Sequence, residues 1–164
     1  MTTFARLMLG GVLIAAGWLK IGAPALSVQA VKAYELLPGG VATAVGYGLP
    51  ILEIVLGALL VLGLLTRVSA VVAGLLMLAF VAGIASAWAR GLRIDCGCFG
   101  GDGTLAAGQD PGYLTEMLRD GGLVLCAAWA ARFPPGRLAL DSVLGLADRP
   151  GHHDLHDHDE GNDS

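Results

Sequence analysis

The sequence predicts an all-α, integral-membrane four-helix bundle with a short interfacial helix after the first span. Three observations lead there. Of 164 residues, 55% are hydrophobic and only 15% charged, where soluble domains carry about 25% charge. The mean hydropathy is +0.68. Four apolar stretches each approach the roughly 20 residues that a spanning helix needs. The same composition argues against a disulfide-dense secreted scaffold, since there are three cysteines. The net charge of -4, without a basic stripe, argues against nucleic-acid binding.

The first span runs from about Phe4 to Gly22, with Arg6 near one end and Lys20 near the other. Ala23-Pro24-Ala25 has the small-x-small look of a signal-peptide cleavage site. The run nevertheless ends in Trp18 and Lys20 rather than small neutral residues, so the span is read as retained. Ala25 to Leu37 has apolar residues at Leu26, Val28, Val31, Tyr34 and Leu37, opposite Gln29, Lys32 and Glu35. That pattern suits a short helix lying in the membrane interface, stopped by Pro38-Gly39-Gly40. Span two runs from about Val45 to Leu65 with Pro50 and Glu53 inside it, and span three from Val68 to Trp88 without a charge. Span four, about Leu114 to Phe133, is the weakest, because Glu116, Arg119 and Asp120 fall in its first two turns. Small residues four apart, such as Ala70/Gly74 and Ala79/Gly83, let helices approach closely in lipid.

Residues 134–164 are expected to form a soluble, disordered tail distinct from the membrane domain of residues 1–133. Its last seventeen residues hold six acids against one arginine, a charge of -5 that leaves +1 on residues 1–147. His152, His153, His156 and His158 also lie there. High charge without apolar residues cannot support a packed core, although imidazole and carboxylate could hold a metal loosely.

Antiparallel spans gather Lys20, Glu53, Arg90, Arg93, Asp95, Cys96, Cys98, Arg119 and Asp120 at one end of the bundle. The sharpest feature among them is Asp95-Cys96-Gly97-Cys98-Phe99-Gly100-Gly101, just outside span three. Extended, the two cysteine α-carbons would be roughly 7 Å apart, at the edge of disulfide geometry. A bridge there needs the freedom of Gly97, and a strained bridge is easily reduced. Arg90 and Arg93 would favour a thiolate and Asp95 oppose it. The residues alone leave three readings open: reversible electron exchange, a structural staple, and a thiolate metal site. Cys126, inside span four, reads as a packing residue. Lys20 and Glu53 are costly inside apolar spans. They fit a structural ion pair, with Glu53 as proton relay or quinone-headgroup ligand in the alternative.

In order, Gly17-Trp18-Leu19-Lys20, Tyr34-Glu35-Leu36-Leu37-Pro38, Leu49-Pro50-Ile51-Leu52-Glu53, Arg90-Gly91, Asp95-Cys96-Gly97-Cys98-Phe99-Gly100 and Arg119-Asp120 resemble the MauE/DoxX family of four-span membrane proteins, its MauE side more closely. The resemblance covers about residues 4–133 and includes neither the tail nor Cys126. It implies a redox-associated multi-pass protein of the inner membrane. Its Cys96/Cys98 pair would exchange electrons with a thioredoxin-like partner, supporting disulfide formation in exported proteins of the methylamine-utilisation type. The cysteine face would point outward and the termini toward the cytoplasm; basic residues divide five against five between the two sides, so charge gives no orientation. Cys96, Cys98 and Glu53 are the candidate catalytic residues, Lys20, Asp95 and Arg93 the supporting ones. No resident metal is expected and no cofactor is certain, with a quinone as the candidate electron acceptor. One cysteine pair must then pass electrons to the quinone or to a partner's second pair. The different-class alternative is a metal-handling membrane protein using Cys96, Cys98 and the histidine tail; a non-catalytic assembly scaffold is another.

Overall fold

The computed structural model describes residues 2–105 and 111–133; the tail with its histidines lies outside the described residues. Five helices follow in order: α1 (Thr2–Ile21), α2 (Pro24–Ala33), α3 (Gly39–Leu62), α4 (Thr66–Ala89) and α5 (Tyr113–Arg132). No strand occurs among the described residues. The long helices α1, α3, α4 and α5 form the bundle and α2 packs chiefly against α3.

Among the described residues, α1, α3 and α4 are long and apolar enough to cross a membrane. The last long helix has the length, 20 residues, but carries Glu116, Arg119 and Asp120 in its first two turns. It completes the bundle by lying along α4 and α1. Large apolar side chains face outward on every long helix, among them Phe4, Trp18, Leu75, Leu78, Leu118 and Leu125. In water such a surface would aggregate; in lipid it is the solvated face.

Close approach between α1 and α3 depends on two glycine contacts. A β-carbon on Gly17 would lie 2.7 Å from both the Pro50 carbonyl oxygen and Ile54 Cγ1, and one on Gly57 2.7 Å from the Gly10 carbonyl oxygen. These contacts also show the two helices antiparallel. Leu9, Leu13, Leu56, Leu60, Ala70, Ala73, Met77, Leu123 and Ala127 fill the core between them and the α4–α5 pair. The α3–α4 link is three residues, with Gly63 and Leu65 both left-handed (φ 71° and 47°).

One boundary differs from expectation. Gly39 and Gly40 begin α3 rather than only terminating what precedes. Pro38 is extended (φ -57°, ψ 145°) and caps α3, so the two glycines fall in its first turn. The chain leaves α2 earlier, at Tyr34, and Glu35 turns it with φ 52°.

Candidate functional site

The α4–α5 loop folds back over the ends of α1 and α2. Gly97 and Gly100 both have positive φ, 64° and 94°. Gly97 faces the Ala30 methyl, 2.5 Å from where a β-carbon would stand, and Gly100 lies against the Leu19 backbone. Three further ties hold the loop. The Tyr34 hydroxyl donates to the Cys96 carbonyl (3.1 Å). The Tyr113 hydroxyl donates to the Leu92 carbonyl (2.5 Å) and accepts from the Ile94 N–H (3.0 Å). Arg90 donates to the Tyr34 carbonyl.

Cys96 and Cys98 are free thiols, 5% and 7% exposed. The Cys98 N–H donates to Cys96 Sγ (3.2 Å), and the Cys98 thiol sits 4.0 Å from the Cys96 carbonyl oxygen. The bend at Gly97 thus brings two sulfurs together that an extended chain would hold apart. The hydrogen bond with the Cys98 side chain, burial and the charge a Cys98 thiolate would carry all push the Cys96 thiol well up from its ordinary range. Burial first, then the two cysteines, raises the Tyr34 hydroxyl as well. Cys96 therefore rests as a neutral thiol.

Beneath the loop, Lys20 Nζ lies 2.6 Å from Glu53 Oε1, with both side chains almost fully buried. Phe80 covers the ammonium, its ring centroid 5.2 Å away. This is the expected ion pair between α1 and α3. Asp120 is likewise buried and pairs with its neighbour Arg119 at 3.0 Å, and the guanidinium stacks over Phe99 (4.7 Å). Glu53, Cys98, Arg119 and Asp120 line one small cavity walled by Leu13, Met77 and Phe80. Its space for water centres, about 20 Å³, suits one water molecule. Glu53 Oε2 and Asp120 Oδ2 are buried without a hydrogen-bond partner among the described residues.

The structure brings Lys20, Glu53, Asp95, Cys96 and Cys98 to one end of the bundle, as the antiparallel reading requires. Two arginines near the loop have defined partners. Arg90 is engaged with the Tyr34 and Ser86 carbonyls. Arg119 is the guanidinium that shares a cavity with Cys98. Sequence reasoning missed Glu116, whose carboxylate lies within 4.8 Å of the Cys96 sulfur. It read that residue as a charge weakening span four. Its position one turn into the helix that follows the cysteine loop was the available signal. Tyr113, which anchors Leu92 and Ile94, was missed as well.

The family model described as methylamine utilisation protein MauE matches residues 1–133. No curated protein and no solved structure matches the chain.

Proposed function

The chain belongs to the MauE family of methylamine utilisation proteins, and from that premise we propose that it is a membrane thiol–disulfide exchange protein serving a thioredoxin-like partner. The observation that carries this reading is the Cys96/Cys98 pair: two free thiols folded onto one another by Gly97 at the mouth of a bundle that holds buried carboxylates. A pair of this kind can open and close without rearranging the helices.

The exchange balances within the two proteins. One cysteine loses its proton and its thiolate attacks the partner's disulfide; a mixed disulfide forms and one partner sulfur leaves as thiolate. The second cysteine attacks the mixed bond, closing Cys96–Cys98 and releasing the other partner sulfur. Two electrons and two protons have then passed to the partner, and the reverse sequence runs by the same steps. Glu116, with a carboxylate oxygen within 4.8 Å of the Cys96 sulfur, is the base placed for the Cys96 proton, while Glu53 and Asp120 flank Cys98 through the cavity. Because both sulfurs are buried, the partner engages them only after the Asp95–Gly103 turn lifts from Ala30 and Leu19.

The placement at an inner membrane, with the loop outward and both termini cytoplasmic, is part of the same proposal. So is a quinone as the acceptor to which the Cys96/Cys98 pair hands electrons taken from the partner. Maleimide trapping in intact cells tests the reading. Cys96→Ser or Cys98→Ser should accumulate a mixed disulfide with a thioredoxin-fold protein, and the native pair should label only after reduction, from outside. Absence of any mixed disulfide in both variants, at normal expression, refutes exchange. Labelling only once the cytoplasm is opened refutes the orientation.

A further inference from the structure

Cys96 has two carboxylate neighbours, and the exchange uses only one of them, Glu116. The Cys96 sulfur, a carboxylate oxygen of Asp95 and a carboxylate oxygen of Glu116 all lie within 4.8 Å of one another. Cys96 is buried, and Glu116 Oε2 is closed to solvent with no hydrogen-bond partner among the described residues. The Asp95 carboxylate is seated by the backbone: a β-carbon on Gly101 would stand 1.7 Å from its Oδ2, so only glycine leaves room for it there. The Asp95 N–H donates to the Gly103 carbonyl, fixing the turn that carries it. The Cys98 thiol, 4.0 Å from the Cys96 carbonyl oxygen, is a second sulfur in the same turn, outside the three-residue cluster.

We propose that the reduced protein binds a borderline divalent cation of the zinc class at Cys96, Asp95 and Glu116, with Cys98 as the fourth donor. The donor set selects the ion. Calcium and magnesium take oxygen only, and cuprous copper favours sulfur only. Two sulfurs and two carboxylates suit tetrahedral zinc or cobalt(II). Bond lengths of about 2.0–2.3 Å place neighbouring ligand atoms roughly 3.3–3.7 Å apart, so Asp95, Cys96 and Glu116, already within 4.8 Å of one another, close by about 1 Å on the ion, and the Cys98 side chain rotates in to complete the set. Binding displaces the thiol protons and gathers anionic ligands that otherwise repel one another. Closing the Cys96–Cys98 disulfide removes both sulfurs as thiolates, so the oxidised protein releases the ion.

The site is independent of the partner, so it stands or falls separately from the exchange reading. The test uses the full-length reduced protein in detergent, titrated with cobalt(II). We expect a sulfur-to-cobalt charge-transfer band that zinc abolishes, that disulfide formation prevents, and that weakens as pH falls. The tail histidines at 152, 153, 156 and 158 supply nitrogen only and cannot produce that band. Cys96→Ser should remove it, and Glu116→Gln and Asp95→Asn should each raise the cobalt dissociation constant at least about tenfold. Zinc should also shield Cys96 from maleimide in the unaltered protein, a readout that needs no variant to fold. No charge-transfer band, or one whose affinity ignores both carboxylate substitutions, overturns the proposal.

Discussion

Replacing Glu53 and Lys20 singly and together measures what the buried pair contributes. Their side chains are 1% and 2% exposed, and Nζ and Oε1 are 2.6 Å apart. Breaking a pair this deep costs about 3–5 kcal/mol, because the surviving charge stays in an apolar setting. The surroundings set the order of the two losses. In Glu53→Gln the ammonium keeps an amide oxygen and the face of Phe80, and a desolvated cation–π contact contributes about 2 kcal/mol. That places the loss near the lower bound, about 3 kcal/mol or roughly 100-fold in the folding constant. In Lys20→Met the carboxylate keeps no hydrogen-bond partner among the described residues, since Oε2 has none already. Its loss falls near about 5 kcal/mol, on the order of a thousandfold or more. The double variant leaves only an under-satisfied amide, about 1–3 kcal/mol, far below the roughly 8 kcal/mol that additivity requires. Unfolding in mixed micelles, followed by tryptophan fluorescence, reads all four proteins. An additive double variant, or a Lys20→Met protein more stable than Glu53→Gln, refutes the reasoning. If the double variant also keeps the exchange rate of the parent, Glu53 acts through structure rather than as a proton relay.

Three further outcomes are expected. Gly17→Ala drives a methyl into Pro50 and Ile54, and a melting scan should show a loss of about 1–3 kcal/mol, whereas Gly11→Ala, which meets nothing within 4 Å, should show none. Tyr113→Phe strands the buried Ile94 N–H, costing about 1–3 kcal/mol, and amide exchange at Ile94 should quicken selectively. The Cys96 thiol is raised in the folded protein, so its contribution to stability is complete below the ordinary thiol range and lost as pH rises beyond it; maleimide labelling of the native protein should stay slow at neutral pH and accelerate in alkali more steeply than for the unfolded chain.

The fold was legible because lipid-spanning helices advertise themselves in composition. The apolar run from Val68 to Trp88 lies within α4 (Thr66–Ala89), and the reading ended one residue from the helix at one side and two at the other. Antiparallel alternation then gathered Lys20, Glu53 and the cysteines correctly without any side-chain detail. What stayed hidden depends on contacts between distant residues. The hydrogen bond of Arg90 to the Tyr34 carbonyl, 56 positions away, has no signal in the sequence around either residue. Glu116 and Asp120 looked like blemishes in an apolar helix, when each faces into the protein beside a cysteine. Gly39-Gly40 signals a break equally well at the end of one helix and at the start of the next.

The partition of charge among helices bears on how the chain enters the bilayer. Lys20 and Glu53 are separated by 33 positions, so a ribosome delivers the ammonium well before its counter-charge. A lone lysine at the centre of a spanning helix costs about 2.5–3.5 kcal/mol during insertion, less near the end, where Lys20 lies. Until α3 emerges, the Lys20 ammonium lacks the carboxylate that it meets in the folded bundle. Asp120 has its counter-charge in the residue immediately before it, Arg119. The two ion pairs thus differ in reach: Lys20–Glu53 ties together helices far apart in the chain, whereas Arg119–Asp120 is complete within one helix.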